Sequence, residues 1–344
     1  DGDGNADQYE YNVISGNTMH GILVIGTTAN NNILAGNIIG LNVSGTLALA
    51  NTLSGISLQN GPSGTHIGVG GTSTSDSYER NTISGNGGSG IIITSAGSTT
   101  ICGNNIGVNS TGLVDLGNTV NGILIESGNN TAITIGVPDG GRSTLGNVIS
   151  GNNQSGIRIE DADNHIIAGN RIGTNGGGDG AIPNEYYGIL VNNSANIRIG
   201  TNGNGTTDNL EGNTISGNKF SGIQLSNPGT INTVIAGNRI GTWHNGYIPL
   251  PNNQFGIHLV GDPAGTRIGS NGDGVSDYYE RNLVSGNGLY GIQLQSALAT
   301  SISGNFIGTD IEGYYAIPNG QQGIMIDATV TGVVTIGVPN GGVS

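Results

Sequence analysis

Residues 158–165 read RIEDADNH and hold the densest set of groups able to move a proton or hold an ion: Arg158, Glu160, Asp161, Asp163 and His165. A carboxyl beside a histidine can act as general acid and base, and clustered carboxylates can hold a cation. The bland reading of the same run is a solvated turn. A second chemistry recurs where acids alternate with glycine. DGDGNADQYE supplies Asp1, Asp3, Asp7 and Glu10, and NGDGVSDYYE supplies Asn271, Asp273, Asp277 and Glu280. Oxygen ligands at alternate positions on a glycine-permitted curve can wrap a hard cation, so calcium is the cofactor these runs suggest. NGNGTTDNLE (202–211) is a weaker version, SDSYE keeps only Asp76 and Glu79, and GVPDGGRSTLGN departs from the pattern. An Asx-rich surface turn competes with the metal loop at each. The other histidines, His20, His66, His244 and His258, show no metal-ligand spacing.

These residues are carried by a repeat. N-x-[IV]-S-G-N or a close relative begins at Asn12, Asn81, Asn147, Asn213 and Asn282, in steps of 69, 66, 66 and 69 residues. Between these lie five G-N-x-I-G segments starting at Gly36, Gly103, Gly169, Gly237 and Gly304. Gly-Ile-x-aliphatic occurs ten times, every 32–35 residues, from Gly21 to Gly323. Five double repeats with fixed periods predict a solenoid. The spacing fits a basic coil of four plus sixteen residues carrying one insertion that alternates between two corners. Side chains alternate across a strand. Ile22 and Val24, Ile56 and Leu58, and Ile157 and Ile159 are therefore expected to stack inward. The ten Gly-Asn corners are expected to align in one column and pass amide hydrogen bonds from coil to coil, with Asn taking the left-handed backbone.

The expected fold is all-β: a right-handed parallel β-helix of about ten coils in one domain over 1–344, with no obvious caps. The repeats run approximately 12–80, 81–146, 147–212, 213–281 and 282–344, with 1–12 a partial junction. Ten coils stacked at the strand spacing give a rod of about 48 Å. A five-bladed propeller, the competing fold, needs about four strands per blade and a richer aromatic signature.

Composition agrees. Of 344 residues 66 are Gly, 9% are charged and 4% aromatic, so neither helices nor a thick globular core are expected. The net charge of −14, with nine basic residues, argues against nucleic acid and anionic membranes as partners. No apolar run is long enough for membrane insertion. One cysteine forbids an internal disulfide. Cys102 occupies the slot of Ala35, Ala168, Ala236 and Ser303, and reads as a small buried residue.

The NxISGN…GIxI pattern resembles the right-handed parallel β-helix repeats of the pectate-lyase-like superfamily, over essentially the whole chain. The acidic junction runs resemble the calcium loops of thrombospondin type 3 repeats. The first resemblance implies a fold that hosts lyases, hydrolases, epimerases, adhesins and inert stalks. Its enzymes commonly mount acids, or an Arg or Lys base, on the outer face of adjacent strands. Here the outward column of Gly-Ile-x-aliphatic reads Leu23, Ser57, Ile92, Leu124, Arg158, Leu190, Gln224, His258, Gln293 and Met325, without a carboxylate pair at glycosidase separation. Leu23, Ile92, Leu124 and Leu190 form an apolar surface for an insertion loop or a neighbouring rod. Tyr186–Tyr187, Tyr278–Tyr279, Tyr314–Tyr315 and Trp243, in or beside insertions, are the residues able to stack on glycans.

Residues 1–12 match 271–282, and 337–344 match 136–143. That repetition leads to the expectation of an excerpt from a longer array or of copies stacking end to end, since heterologous contact that does not close gives an open fibre. The function expected is a non-catalytic extracellular or cell-surface structural protein: a filament subunit, or a repeat of a stalk or adhesin. The alternative is a carbohydrate-active β-helix enzyme or glycan-binding module, with its site near Arg158–His165 or the insertion-borne aromatics.

Overall fold

The computed structural model describes residues 10–70, 76–128, 131–137 and 139–337. Thirty strands of two to four residues form three parallel sheets of ten strands each, every third strand joining the same sheet. One coil contributes one strand to each sheet, so the chain winds ten rungs. The first sheet runs from Val13–Ile14 to Phe306–Ile307, the second from Ile22–Ile25 to Ile324–Ile326, the third from Ile33–Leu34 to Val334–Ile336. The architecture is the expected all-β parallel β-helix.

Register follows from the isoleucines. In the second sheet Ile123, Ile157 and Ile189 are consecutive partners, as are Ile125, Ile159 and Val191. Together with Ile149 of the first sheet and Ile167 of the third, they form one continuous apolar interior. Fully burying each such side chain contributes roughly 2 kcal/mol. At the terminal rungs this interior is only partly covered: Ile14, Ile22, Ile307 and Ile324 are half-buried.

The glycine of Gly-Ile-x-aliphatic is dictated by close packing. A Cβ on Gly156 would lie 2.8 Å from the Asn184 amide nitrogen, 2.8 Å from the Gly188 carbonyl and 2.9 Å from the Ile172 side chain. Its backbone is ordinary; the constraint is purely steric.

The asparagines form two columns where one was expected. The first runs Asn12, Asn37, Asn81, Asn104, Asn147, Asn170, Asn213, Asn238, Asn282 and Asn305, each Nδ2 donating to the next Oδ1 at 2.8–3.1 Å. The second runs Asn17, Asn51, Asn86, Asn118, Asn152, Asn184, Asn218, Asn252, Asn287 and Asn319 at 2.8–3.0 Å. Gly-Asn corners therefore alternate between columns, and the gaps are filled by asparagines of other motifs, such as Asn184 in IPN. Left-handed backbone falls on the preceding glycine, Gly85 or Gly103 for instance, rather than on the ladder asparagine.

The insertions also differ from the expected alternation. Steps along the first column alternate between 23–25 and 43–44 residues. Both insertions therefore belong to every second coil. One is a hairpin between the first and second sheets, closed by antiparallel bridges such as Val108–Asp115 and Thr242–Pro249. The other is the junction between the third and first sheets, carrying a helical turn in Asp76–Glu79, Asp208–Glu211 and Asp277–Glu280. The serine of SGN anchors the hairpin: Ser150 Oγ donates to Thr174 O at 2.7 Å and accepts from Gly173 N at 3.0 Å.

Cys102 is buried, as are its counterparts Ala168 and Ala236 on other rungs; it packs with Val69, Val137 and Leu145, and burial pushes its thiol up to about 12. It is structural.

Candidate functional site

The residues of RIEDADNH do not converge. Arg158 points outward from the second sheet and donates through Nε to Glu160 Oε2 at 2.8 Å. Asp161 and Asp163 lie at the following corner. Asp161 accepts from Asn193 Nδ2 at 2.9 Å and Asp163 accepts from the Ala195 amide at 2.7 Å, so both fasten their rung to the next. His165 turns inward and is fully buried; its Nδ1 accepts from Ile133 N at 3.3 Å. Burial lowers its pKa to about 4 against the opposing pull of Asp163.

The acidic junctions act as staples. Glu280 is fully buried, with Oε1 2.9 Å from Arg267 Nη1 and Oε2 accepting from Asn271 N at 2.9 Å. Asp277 accepts from the Ser270 hydroxyl at 2.6 Å and the Gly274 amide at 3.1 Å. Asp273 accepts from Val275 N and from the Asn271 side chain. Glu211 has the equivalent partners, Arg198 and Asn202 N, but both reach Oε2 and its buried Oε1 has no hydrogen-bond partner. Asp208 is raised by burial, but hydrogen bonds from Ser276, Thr201, Gly205 and Gly203 outweigh this and hold its carboxyl below the usual range. Among the described residues no group of three or more His, Cys, Asp or Glu is arranged to hold a metal ion. Asp1, Asp3 and Asp7 lie outside the described residues; Glu10 is exposed.

In the outward column of the second sheet Ser57 and His258 are buried. Leu23 is exposed, while Ile92, Leu124 and Leu190 are half-buried. Of the aromatic residues, Tyr186 stacks on Phe220 with centroids 5.3 Å apart, and Tyr314 and Tyr315 are exposed at the last hairpin.

The feature not anticipated lies on the first sheet. Hairpins from alternate coils touch one another: Gly176 N donates to Gly112 O, His244 N to Gly178 O and Ile311 N to Gly246 O. Junctions touch on the other flank, where Arg142 and Thr144 both contact Asp76. Between these walls the outward face of the first sheet forms a groove. Part of it is a pocket of about 370 Å³ beside Arg239, Arg281, Tyr278, Phe306, Asp208 and Ile311.

Five of the nine basic residues are paired with acids: Arg142 with Asp76, Arg158 with Glu160, Arg198 with Glu211, Lys219 with Glu185 and Arg267 with Glu280. The other four, Arg80, Arg171, Arg239 and Arg281, make no ion pair among the described residues, and all four belong to the first sheet or its entrance. The sequence carried a signal for them. Arg171 and Arg239 follow ladder asparagines in GNRIG; Arg80 and Arg281 precede them in ERN.

Three ten-stranded parallel sheets around one apolar interior define a β-helix solenoid. No family model matches the sequence, and a search of curated proteins finds no match. Solved structures of similar shape include the Dettilon tailspike protein, 17% identical, covering 90% of this chain and 55% of that one with a TM-score of 0.48. The periplasmic alginate epimerase AlgG is 15% identical over 86% of this chain and 44% of its own, TM-score 0.35. The A-module of the Azotobacter vinelandii mannuronan C-5 epimerase AlgE4 is 14% identical over 94% and 87%, TM-score 0.37. The chain spans about half the length of the tailspike and less than half that of the periplasmic epimerase. No described helix is long and apolar enough to cross a membrane.

Proposed function

We propose that this chain is a non-catalytic structural β-helix of the cell exterior, a rigid length of a surface stalk or adhesin or the subunit of a filament. The observation that carries this reading is the pair of asparagine ladders, unbroken through ten rungs and tying each coil to its neighbours in the same way. Each rung touches mainly the rungs beside it, which is the organisation of a quasi-one-dimensional rod. The half-buried apolar side chains of the terminal rungs suit contact with a further rung, whether of the same chain or of another copy. The acids of residues 158–165 hold rungs together, which favours the structural reading over an acid/base site there. Calcium belongs to the same proposal for the run Asp1, Asp3, Asp7 and Glu10; at Asn271, Asp273, Asp277 and Glu280 the acids are already engaged by Arg267, Ser270 and amides.

Electron microscopy of the purified chain, with calcium and then with chelator, tests this. Rods that join end to end into ordered filaments support the filament version, and their loss on chelation places the cation at the contacts. Discrete short rods in both conditions leave the stalk and remove the filament. Turnover of a polyuronate or a neutral glycan overturns the non-catalytic reading.

A further inference from the structure

The groove on the first sheet holds positive charge in a chain whose net charge is −14. Arg239 stands outward on its strand, with Nε buried and without a hydrogen-bond partner. Arg281 has the same unpartnered Nε, and its guanidinium lies 4.4 Å from the Phe306 ring centroid and 5.3 Å from that of Tyr278. Arg171, two strands from Arg239 through Thr214, again leaves Nε buried and unpartnered. Burial holds both Arg171 and Arg239 below the ordinary guanidinium value, with Asp179 and Tyr278 opposing. Arg80 stands at the entrance of its strand in the same sheet; its guanidinium is held below the ordinary value by burial and then by Arg171, with Asp76 opposing. The acid in the enclosed part of the groove, Asp208, is already engaged by Thr201, Ser276 and backbone amides.

Leaving a buried guanidinium N–H without an acceptor is unfavourable by about 1–3 kcal/mol, more for a charged group. Three such groups in one file, beside five basic residues that each found an acid, leave guanidinium charge on this face that no ion pair among the described residues balances. A guanidinium fork fits carboxylate and sulfate oxygens. Flanking aromatic side chains fit the ring of a sugar, one side of which is apolar. Two parallel strand spacings, about 9.6 Å, separate Arg171 from Arg239. We propose that the first-sheet groove is a binding site for a linear anionic glycan, carboxylated or sulfated, lying along the rod with its acid groups on Arg80, Arg171, Arg239 and Arg281. Tyr278 and Phe306, which pack on the Arg281 guanidinium, then orient it towards the sugar acid and offer apolar ring edges beside it. The site is independent of whether the rod assembles into filaments.

The test is equilibrium binding at low ionic strength of polygalacturonate, dextran sulfate, neutral dextran and a single-stranded polynucleotide to the full chain. The R239Q/R281Q double variant is compared with R158Q/K219Q, which removes the same charge from residues already paired and away from the groove. The expected result is binding of one or both acidic glycans, at least tenfold weaker in R239Q/R281Q and within about twofold of the parent in R158Q/K219Q. Preference for polygalacturonate or for dextran sulfate distinguishes carboxylate from sulfate recognition. Equal loss in both variants, equal binding of neutral dextran, tighter binding of the polynucleotide, or no binding of either acidic glycan overturns the proposal. Thermal unfolding keeps the test interpretable: R239Q/R281Q is expected to melt no lower than the parent. If it does melt lower, R239K at unchanged net charge decides, since loss of the guanidinium fork alone must then weaken glycan binding.

Discussion

Asn213 Oδ1 accepts two hydrogen bonds from Asn170, one from its side-chain amide at 3.0 Å and one from its backbone N–H at 2.9 Å, across 43 residues of sequence. The remaining N–H of the Asn170 side chain goes to the Ile135 and Ala168 carbonyls. A single buried side chain thus satisfies groups on several strands.

Replacing it exposes how much depends on that arrangement. Asn170→Ala strips partners from Asn147 and from the Ile135 carbonyl in a dry interior, and is expected to destabilise by about 3 kcal/mol or more. Asn12→Ala, at an exposed end of the same column, should change stability by less than about 1 kcal/mol. Urea unfolding of the two variants checks the contrast; equal losses would mean the ladder is not cooperative with the core.

The steric role of the repeated glycine gives a second contrast. Gly156→Ala drives a methyl into Asn184, Gly188 and Ile172, and is expected to cost roughly 2–3 kcal/mol by overpacking. At Gly323 the same methyl meets only the Ile307 side chain, at 3.1 Å, so Gly323→Ala should be nearly neutral. Melting temperatures of the two single variants settle it.

Arg267 and Glu280 make a third case. Removing one partner strands a charge beside the core, so Glu280→Ala should destabilise by about 3–5 kcal/mol. Removing both, with Arg267→Met and Glu280→Leu, should recover most of that loss. A double-mutant cycle that shows simple additivity would sink the staple.

Stability should also fall on mild acidification. His165 has a folded pKa of about 4, below the unfolded value of about 6.5. Between these the unfolded chain binds the proton and the folded chain does not, so stability is present at pH 7 and is lost as pH drops from about 6.5 towards 4. The loss amounts to about 2–3 kcal/mol at the lower limit. His258, whose pKa burial also lowers, contributes in the same direction. Urea midpoints at pH 7 and pH 5 measure the slope, which His165→Leu should make shallower.

Much of the fold was legible because a solenoid writes its geometry locally. Ile157 and Ile159 recur at the same phase in every coil, and alternation alone puts them inside. The two asparagine columns were merged because Asn17 and Asn37 share the dipeptide Gly-Asn although they turn different corners. Only the pairing of Asn37 with Asn81, and of Asn17 with Asn51, separates them. Glu280 reads as a candidate ligand until Arg267, 13 residues upstream, is seen beside it. The groove was hidden for a related reason. Whether Arg239 or Arg267 finds an acid depends on which corner folds over it, and strand phase does not encode that.

Every amide in both ladders donates towards the higher-numbered rung, so the rod has a sense. A rung laid beyond Asn305 and Asn319 must offer acceptors, and one laid before Asn12 and Asn17 must offer donors. A rung stacked in the same sense would continue the amide chains, whereas one stacked in the opposite sense on the Asn12 side would oppose oxygen to oxygen. Growth of any assembly along this axis is vectorial: its two tips are chemically distinct, and an agent that caps one by mimicking a primary amide donor should leave the other free to add material.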